Sequence, residues 1–192
     1  MPPKPQFTRE QIIETAFQIA REDGLQGITI RKVAQALGSS IAPIYVNFAH
    51  VDELLQAVVQ RAFEAGRQLL VEEDTGNPYF DIGAASLRFA REYSPLFRDL
   101  VLNPNPYMSD YDQDMGSTLL ELMKKDPELA GFTDEELKTI LLKGRVFQLG
   151  LSVMVANGLL PADFNEERTR QLLESAGADA IIAARIRKQQ PK

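Results

Sequence analysis

Residues 28–54 constrain the fold of this chain more than any other stretch, because they combine two short helices with a tight turn. Thr29 is a favourable N-cap, and Val33 begins an apolar stripe with i, i+4 spacing in the helix that follows. Gly38 suits the left-handed backbone that ends such a helix. A second short helix is predicted from about residue 40 to 48. This is the pattern of a helix-turn-helix, which holds its second helix outward where it can enter a DNA major groove.

The rest of the sequence predicts further helices and no strand. Thr8 and Thr133 each begin a capping box at the start of an amphipathic helix. A Gly-Asn-Pro sequence at residues 76–78 interrupts the helical pattern and marks where a second unit takes over. We therefore predict an all-α fold of about nine helices, with a DNA-binding domain over residues 1–56 and a helical ligand-binding and dimerisation domain over residues 57–192.

Composition narrows the classes of function. The 192 residues contain no cysteine, which excludes disulfides, zinc–thiolate sites and cysteine nucleophiles. The single histidine, His50, lies in the predicted DNA-binding part, and no glycine-rich phosphate loop is present. These features predict a protein that is not an enzyme and needs no cofactor. The N-terminus lacks a signal-peptide pattern, and the apolar run at residues 146–160 is too short to span a bilayer. We expect this run to be buried in a soluble cytoplasmic protein with no membrane partner.

The charge of the chain sets conditions on any DNA binding. The net charge is −6, which argues against a general polyanion binder. Residues 1–64 carry six Lys or Arg against seven Asp or Glu, a balance of −1. Affinity for DNA must then depend on a few placed cations, on helix N-termini and on close fit.

The N-terminal part resembles the tetracycline-repressor-like (TetR) transcriptional regulators over about residues 7–56. The residues that carry the resemblance are Thr8, Ile12 to Ala16, Gly24, Thr29, Ile30, Ala34, Leu37, Gly38, Ile44, Tyr45, Phe48 and Leu54. The resemblance implies a homodimer that binds a palindromic operator and releases it when a small molecule enters the C-terminal domain. It also implies that Tyr45 contacts phosphate. The chain departs from the family at Ile41 and Val51, where members often carry lysine.

We predict that the DNA contacts come from the helix-turn-helix and the segment that follows it. The predicted contacts are Thr29, Arg31, Lys32, Ser39, Ser40, Ala42, Pro43, Tyr45, Val46, Asn47 and His50. For Arg31 and Lys32 the alternative is a pair of solvated charges on an exposed helix face. For His50 it is a capping or surface role.

An effector site is predicted in the C-terminal part from a group of aromatic, methionine and arginine side chains. Its members are Phe89, Tyr93, Phe97, Tyr107, Met108, Arg145, Phe147 and Met154. An aromatic and methionine stripe at helical spacing is equally typical of an ordinary core. Arg145 is a candidate partner for an anionic ligand, and an ion pair with a carboxylate explains it as well.

The last two predicted helices carry small and apolar residues suited to close packing between two subunits. The predicted interface residues are Leu141, Gly144, Leu151, Val155, Ala176, Ala180 and Ala184. The alternative is that they pack within one chain. A dimer is favoured because a two-fold DNA reader needs two recognition helices.

The acidic run from Asp110 has part of the spacing of a calcium loop, at Asp112, Asp114 and Glu121. Met115 stands where that loop requires glycine, so no metal site is predicted. Taken together, the sequence and the resemblance predict a ligand-responsive transcriptional regulator that binds an inverted-repeat operator as a homodimer. That it is a repressor is what the resemblance implies. The alternative is a helical ligand- or protein-binding module in which DNA binding is weak or lost.

Overall fold

The computed structural model describes residues 7–104, 106–107 and 111–189, with the side chains of residues 111–115 outside the description. Over these residues it is all-helical, with no strand. The helices are α1 (Arg9–Asp23), α2 (Ile30–Ala36), α3 (Ala42–Asn47), α4 (Val51–Glu72), α5 (Pro78–Glu92), α6 (Ser94–Phe97), α7 (Tyr111–Met123), α8 (Asp134–Ala156) and α9 (Glu166–Gln189). The predicted all-α fold of about nine helices is therefore confirmed for the described part of the chain.

Local capping signals set several helix boundaries. At the start of α1, Thr8 accepts a hydrogen bond from the backbone amide of Gln11, whose side chain in turn accepts one from Thr8. Thr133 and Glu136 form the same reciprocal pair at the start of α8. Both predicted capping boxes are confirmed. They were accessible to prediction because each depends only on residues three apart.

The helical segment from Pro78 to residue 102 is interrupted near Pro95. α5 ends at Glu92, α6 follows as a single turn, and residues 98–102 form a π-type turn. Pro95 explains the break, since its ring would clash with the carbonyl four residues earlier in a continuous helix.

The chain divides into two compact units. Unit 1 comprises Met1–Arg67 and Glu92–Tyr107, and unit 2 comprises Gln68–Arg91 and Met108–Lys192. The core of unit 1 is built from fully buried side chains of α1 to α4. The largest of these are Ile12, Phe17, Val33, Ile44, Phe48, Leu54, Val58 and Val59.

The core of unit 2 lies between α5, α7, α8 and α9. Tyr79, Met123, Leu137, Ile140 and Ile181 are among its members. The Tyr79 hydroxyl donates to the Ile140 carbonyl at 3.3 Å, and burial raises the pKa of Tyr79 to about 12. This tyrosine is thus a neutral core residue at physiological pH.

α8 is unusually apolar for its exposure. It is long and apolar enough to cross a membrane by length and composition, with a mean hydropathy of 1.4 over 18 residues, of which 22% are buried. A core helix of a soluble protein can meet the same criterion. Within this chain the run at residues 146–160 is not fully buried as predicted, because Val146 is 67% exposed.

Candidate DNA-binding surface and effector cavity

The turn between α2 and α3 has the geometry of a helix-turn-helix. Thr29 caps α2, accepting a hydrogen bond from the backbone amide of Lys32 at 3.1 Å. At the other end, Gly38 has φ +63°, and the amide of Ser39 donates to the carbonyl of Ala34 at 2.9 Å. The chain therefore leaves α2 through a left-handed glycine turn, which directs it sharply into α3.

α3 is anchored by its inner face and exposed on its outer face. Ile44 and Phe48 are almost completely buried, at 0% and 1% exposure. Tyr45 is 53% exposed and Val46 is 73% exposed. Two buried side chains four residues apart thus fix the rotation of α3 about its axis and leave the opposite face free for contact.

Arg9, at the start of α1, contacts residues at the C-terminal end of α3. Its guanidinium lies 4.0 Å from the centre of the Phe48 ring, donates to the Asn47 carbonyl at 2.5 Å and pairs with Glu53 at 2.9 Å. Glu53 also accepts a hydrogen bond from the backbone amide of Ala49. The hydrogen bond from the Ala49 amide is the main cause that lowers the pKa of Glu53, and the hydrogen bond from Arg9 is the second. The C-terminal end of α3 is therefore held by α1 and α4 together.

The cations near the predicted DNA surface differ in whether they already have a partner within the chain. Lys32 forms an ion pair with Asp23 at the end of α1. Arg9 and Arg61 are paired with Glu53 and Glu14. Among the described cations of residues 7–64, only Arg31 has no hydrogen-bond, ion-pair or ring partner, and it is exposed. Arg31 is thus the cation of this surface that can bind a phosphate without losing a partner.

The remaining predicted contacts lie on or beside α3. Ser40, Ala42 and His50 are exposed, whereas Ser39, Pro43 and Asn47 are partly buried. The Asn47 amide donates to the Pro43 carbonyl at 2.9 Å, and the Ser39 hydroxyl donates to the Ser40 carbonyl at 2.9 Å. α3 begins at Ala42, about two residues later than predicted, and it has no side-chain cap.

The predicted effector residues are divided between the two units. Tyr93, Phe97 and Tyr107 belong to unit 1. There Tyr93 lies 5.7 Å from Phe17 and under Arg21, while Phe97 is buried. In unit 2, Phe89 is partly buried, and Arg145, Phe147 and Met154 are exposed. Met108 lies outside the described residues. Tyr93 and Phe97 therefore fit the alternative of an ordinary core.

Unit 2 contains a cavity of about 370 Å³, formed by α5, the end of α8 and the start of α9. Its lining is Leu87, Arg91, Met154, Val155, Gly158, Leu160, Pro161, Ala162, Phe164, Asn165, Glu166, Thr169 and Arg170. Of the predicted effector residues, this lining includes Met154. Its volume is within the range of small-molecule sites.

The charges of the cavity lining are balanced internally. Arg91 pairs with Glu166 at 2.6 Å, and Arg170 pairs with Glu73 at 2.9 Å. Arg170 also stacks over the Phe80 ring at 5.3 Å. A ligand here would meet apolar walls and two neutralised ion pairs, which favours a small, largely apolar molecule over a strongly anionic one.

Several residues predicted to lie between subunits instead pack within unit 2. Leu141 and Leu151 are buried in the single chain. Gly144 faces Tyr79 so closely that an added Cβ would overlap the tyrosine hydroxyl. Val155 and Ala184 pack against the two core clusters. This group therefore lies on the inward side of α8 and α9, as the alternative of packing within one chain had it, and Ala176 and Ala180 are partly buried.

The opposite sides of α8 and α9 expose large apolar side chains. Leu142 and Val146 on α8 are 63% and 67% exposed. Ile182 and Ile186 on α9 are more than half exposed. We call these four residues the apolar face of α8 and α9. Large exposed apolar side chains grouped on neighbouring helices are typical of an interaction site.

No metal cluster occurs among the described residues. Of the calcium-like acidic run, Asp110 and the side chains of Asp112 and Asp114 lie outside the description. Glu121 pairs with Lys124 at 2.8 Å. Its carboxylate therefore has a partner within the chain.

No protein-family model matches the chain. The chain is 30% identical to the HTH-type transcriptional repressor DrrR1 of Streptomyces coeruleorubidus over 151 residues, 73% of this chain and 50% of that protein. It is 37% identical to the HTH-type nicotine-responsive transcriptional repressor HdnoR of Paenarthrobacter nicotinovorans over 49 residues, 26% of this chain and 25% of that protein. The chain thus spans about half and a quarter of the curated relatives it matches.

Solved structures share the fold over almost the whole chain. A transcriptional regulator from Rhodococcus sp. Rha1 matches with a TM-score of 0.71 and 18% identity, covering 92% of this chain and 97% of that one. The multidrug binding protein EbrR, in complex with imidazole, matches with a TM-score of 0.58 and 17% identity, covering 88% and 93%. These likenesses show the fold of the chain, and they agree with the resemblance to the TetR-like regulators noted in the sequence.

The sequence did not predict two residues, Asp23 and Arg9, that contact predicted DNA-binding residues. Asp23 neutralises Lys32 although the two belong to different helices and are nine residues apart. Arg9 reaches Asn47 across 38 residues. Neither pairing has a periodic signal in the sequence, because both arise from the way α1 packs against the other helices of unit 1.

Proposed function

We propose that this protein is a ligand-responsive transcriptional repressor that binds an inverted-repeat DNA operator as a homodimer. The observation that carries the proposal is the outward face of α3, held by the buried Ile44 and Phe48 and by the Arg9 network. In a dimer, two such helices would enter successive major grooves about 34–36 Å apart. The helix-turn-helix relatives are repressors by name, which supports the same conclusion.

The homodimer in this proposal uses the apolar face of α8 and α9. Leu142, Val146, Ile182 and Ile186 lie on neighbouring helices of unit 2, and a second copy of the same face would remove them from water. Such an isologous contact between two helix pairs makes a four-helix bundle. It also accounts for an apolar α8 in a protein that works on DNA in the cytoplasm.

The ligand in this proposal is a small, largely apolar molecule bound in the unit 2 cavity. The wall formed by Leu87, Met154 and Phe164 supplies apolar contact, and the Arg91–Glu166 pair supplies a polar edge. The name of one relative, a nicotine-responsive repressor, supports the idea of a small-molecule response. This proposal includes a DNA-binding domain over residues 1–56 and a ligand-binding and dimerisation domain over residues 57–192. Ligand binding would favour a dimer whose recognition helices no longer fit the operator.

The test is selection of binding sites from a random DNA duplex pool by the full-length protein. The expected result is an enriched inverted repeat, bound at nanomolar affinity. Tyr45→Ala should weaken operator binding by at least about tenfold while the protein still folds, because Tyr45 is 53% exposed. Val71→Ala, at a 74% exposed position on α4 outside the helix-turn-helix, serves as the control.

The second candidate function is a helical ligand- or protein-binding module with weak or lost DNA binding. It is favoured by the −1 charge balance of residues 1–64 and by the pairing of Lys32 with Asp23. In that case no duplex is enriched, and every DNA sequence binds with a dissociation constant of about 10⁻⁴ to 10⁻⁶ M.

A further inference from the structure

The part of α3 that projects farthest from unit 1 has no hydrogen-bonding side chain. With about 100° of rotation per residue, Ala42 and Val46 lie on the side of the helix opposite the buried Ile44. Val46 is 73% exposed, and Ala42 is exposed as well. A methyl-bearing ridge formed by Ala42 and Val46 would therefore reach deepest into a major groove.

The polar side chains near this ridge either form hydrogen bonds with the backbone or lie to one side of the ridge. The Asn47 amide donates to the Pro43 carbonyl, and the Ser39 hydroxyl donates to the Ser40 carbonyl. Tyr45 lies about 100° from Ile44 around the helix, so it flanks the ridge. The ridge itself can offer a base edge only apolar contact.

The major groove presents one apolar group that distinguishes base pairs, the C5-methyl group of thymine. Alanine and similar small apolar side chains recognise it by direct contact. Recognition of guanine or adenine edges would instead need a fork of donors such as Arg, Asn or Gln, which the ridge lacks.

We propose that the Ala42–Val46 ridge recognises thymine C5-methyl groups, so that thymines at the centre of each operator half-site determine sequence specificity. The inference rests on the proposed function, since it names what α3 binds once it is in the groove. Contacts to phosphate then supply affinity without sequence specificity. Among the described cations of residues 7–64, Arg31 is the one without a partner, so it is available for such a contact.

The test replaces thymine by deoxyuridine, one position at a time, in the duplex obtained by selection. Deoxyuridine lacks only the C5-methyl group and keeps the hydrogen bonds of the base pair. At one or two central positions of a half-site, affinity should fall by about fourfold, the factor expected for losing one buried methyl group. Replacement in both half-sites should lower it by about sixteenfold, since the losses of the two half-sites multiply.

A variant links that loss to the ridge. Val46→Ala should weaken binding to the thymine operator and cause no further loss on the deoxyuridine operator, because the contact is already gone. Val71→Ala is the matched control, since Val71 is 74% exposed and lies on α4 outside the helix-turn-helix. It should leave both affinities unchanged.

The outcomes separate this inference from the proposed function. An enriched operator that binds equally well with deoxyuridine at every position overturns the inference and leaves the repressor intact. No enriched duplex overturns both. A change in sedimentation on Val46→Ala in the absence of DNA would mean that another protein chain covers the ridge, which also overturns the inference.

Discussion

The carboxylate of Asp99 accepts a hydrogen bond from the backbone amide of Leu25 at 2.7 Å. Asp99 lies in the turn after α6, whereas Leu25 follows α1, so residues 74 apart in sequence meet within unit 1. Gly24, with φ +75°, allows this approach, because an added Cβ would overlap the Asp99 carboxylate. This hydrogen bond joins the turn after α6 to the end of α1 within unit 1.

We predict that Asp99→Ala destabilises the packing of this segment. The Leu25 amide would lose its acceptor, at a cost of about 1–3 kcal/mol in the free energy of unfolding. Hydrogen exchange of the Leu25 amide should accelerate accordingly. Asp99→Asn keeps an acceptor oxygen and should retain most of the protection. Equal exchange rates in the wild type and Asp99→Ala would contradict the role given to this contact.

We predict that Asp23→Asn increases DNA affinity by releasing Lys32 from its ion pair. The freed lysine should add about one phosphate contact per subunit, which steepens the dependence of log affinity on log salt by about one unit for each. Glu22→Gln makes the same charge change at the neighbouring exposed residue and is the control. If both variants raise affinity and salt slope equally, the effect is one of net charge alone.

The free energy of unfolding should depend on acid pH through Glu136. The Thr133 backbone amide, followed by Lys188, holds the pKa of Glu136 at about 2, below its ordinary 4.5. Because the folded state favours the charged carboxylate, this stabilisation is complete above about pH 4.5 and is lost as the pH falls towards 2. Urea unfolding at pH 6, 4 and 3 should bring wild type and Glu136→Gln together as the pH decreases. A gap that stays constant would contradict this.

Sequence alone could predict the features that depend on near neighbours. The capping boxes at Thr8 and Thr133 were predictable because both partners lie within one helical turn. The inward face of α8 was not predictable, because α8 has apolar residues on both sides. Tyr79, far away in the sequence, determines that Gly144 faces the core. Which of the two apolar faces is buried within one chain is a property of the packed unit, so the pattern of apolar residues alone could not decide it.

Gly144 and Tyr79 provide a test of that assignment. Gly144→Ala should lower the free energy of unfolding by about 1–3 kcal/mol, since the new methyl group overlaps the Tyr79 hydroxyl. Tyr79→Phe removes the overlapping oxygen, so the double variant should recover part of the loss. Urea unfolding of the four proteins measures the coupling. If Gly144→Ala weakened the dimer and Tyr79→Phe gave no recovery, Gly144 would lie between subunits after all.

We predict that the homodimer depends on the apolar face of α8 and α9. Val146→Glu should convert the proposed homodimer to monomers, because it places a carboxylate at a position that is 67% exposed in the single chain and covered by the second copy. The dimer dissociation constant should rise by at least about thirtyfold, as for an interface hot spot. Sedimentation at several protein concentrations measures it.

Val71→Glu, at a 74% exposed position on α4, is the control and should stay dimeric. Operator affinity should fall together with dimerisation, because one recognition helix makes only half of the contacts. If Val146→Glu remains a dimer, the subunits associate through a different surface. If it becomes monomeric and still binds the inverted repeat at nanomolar affinity, the two recognition helices are not coupled through α8 and α9.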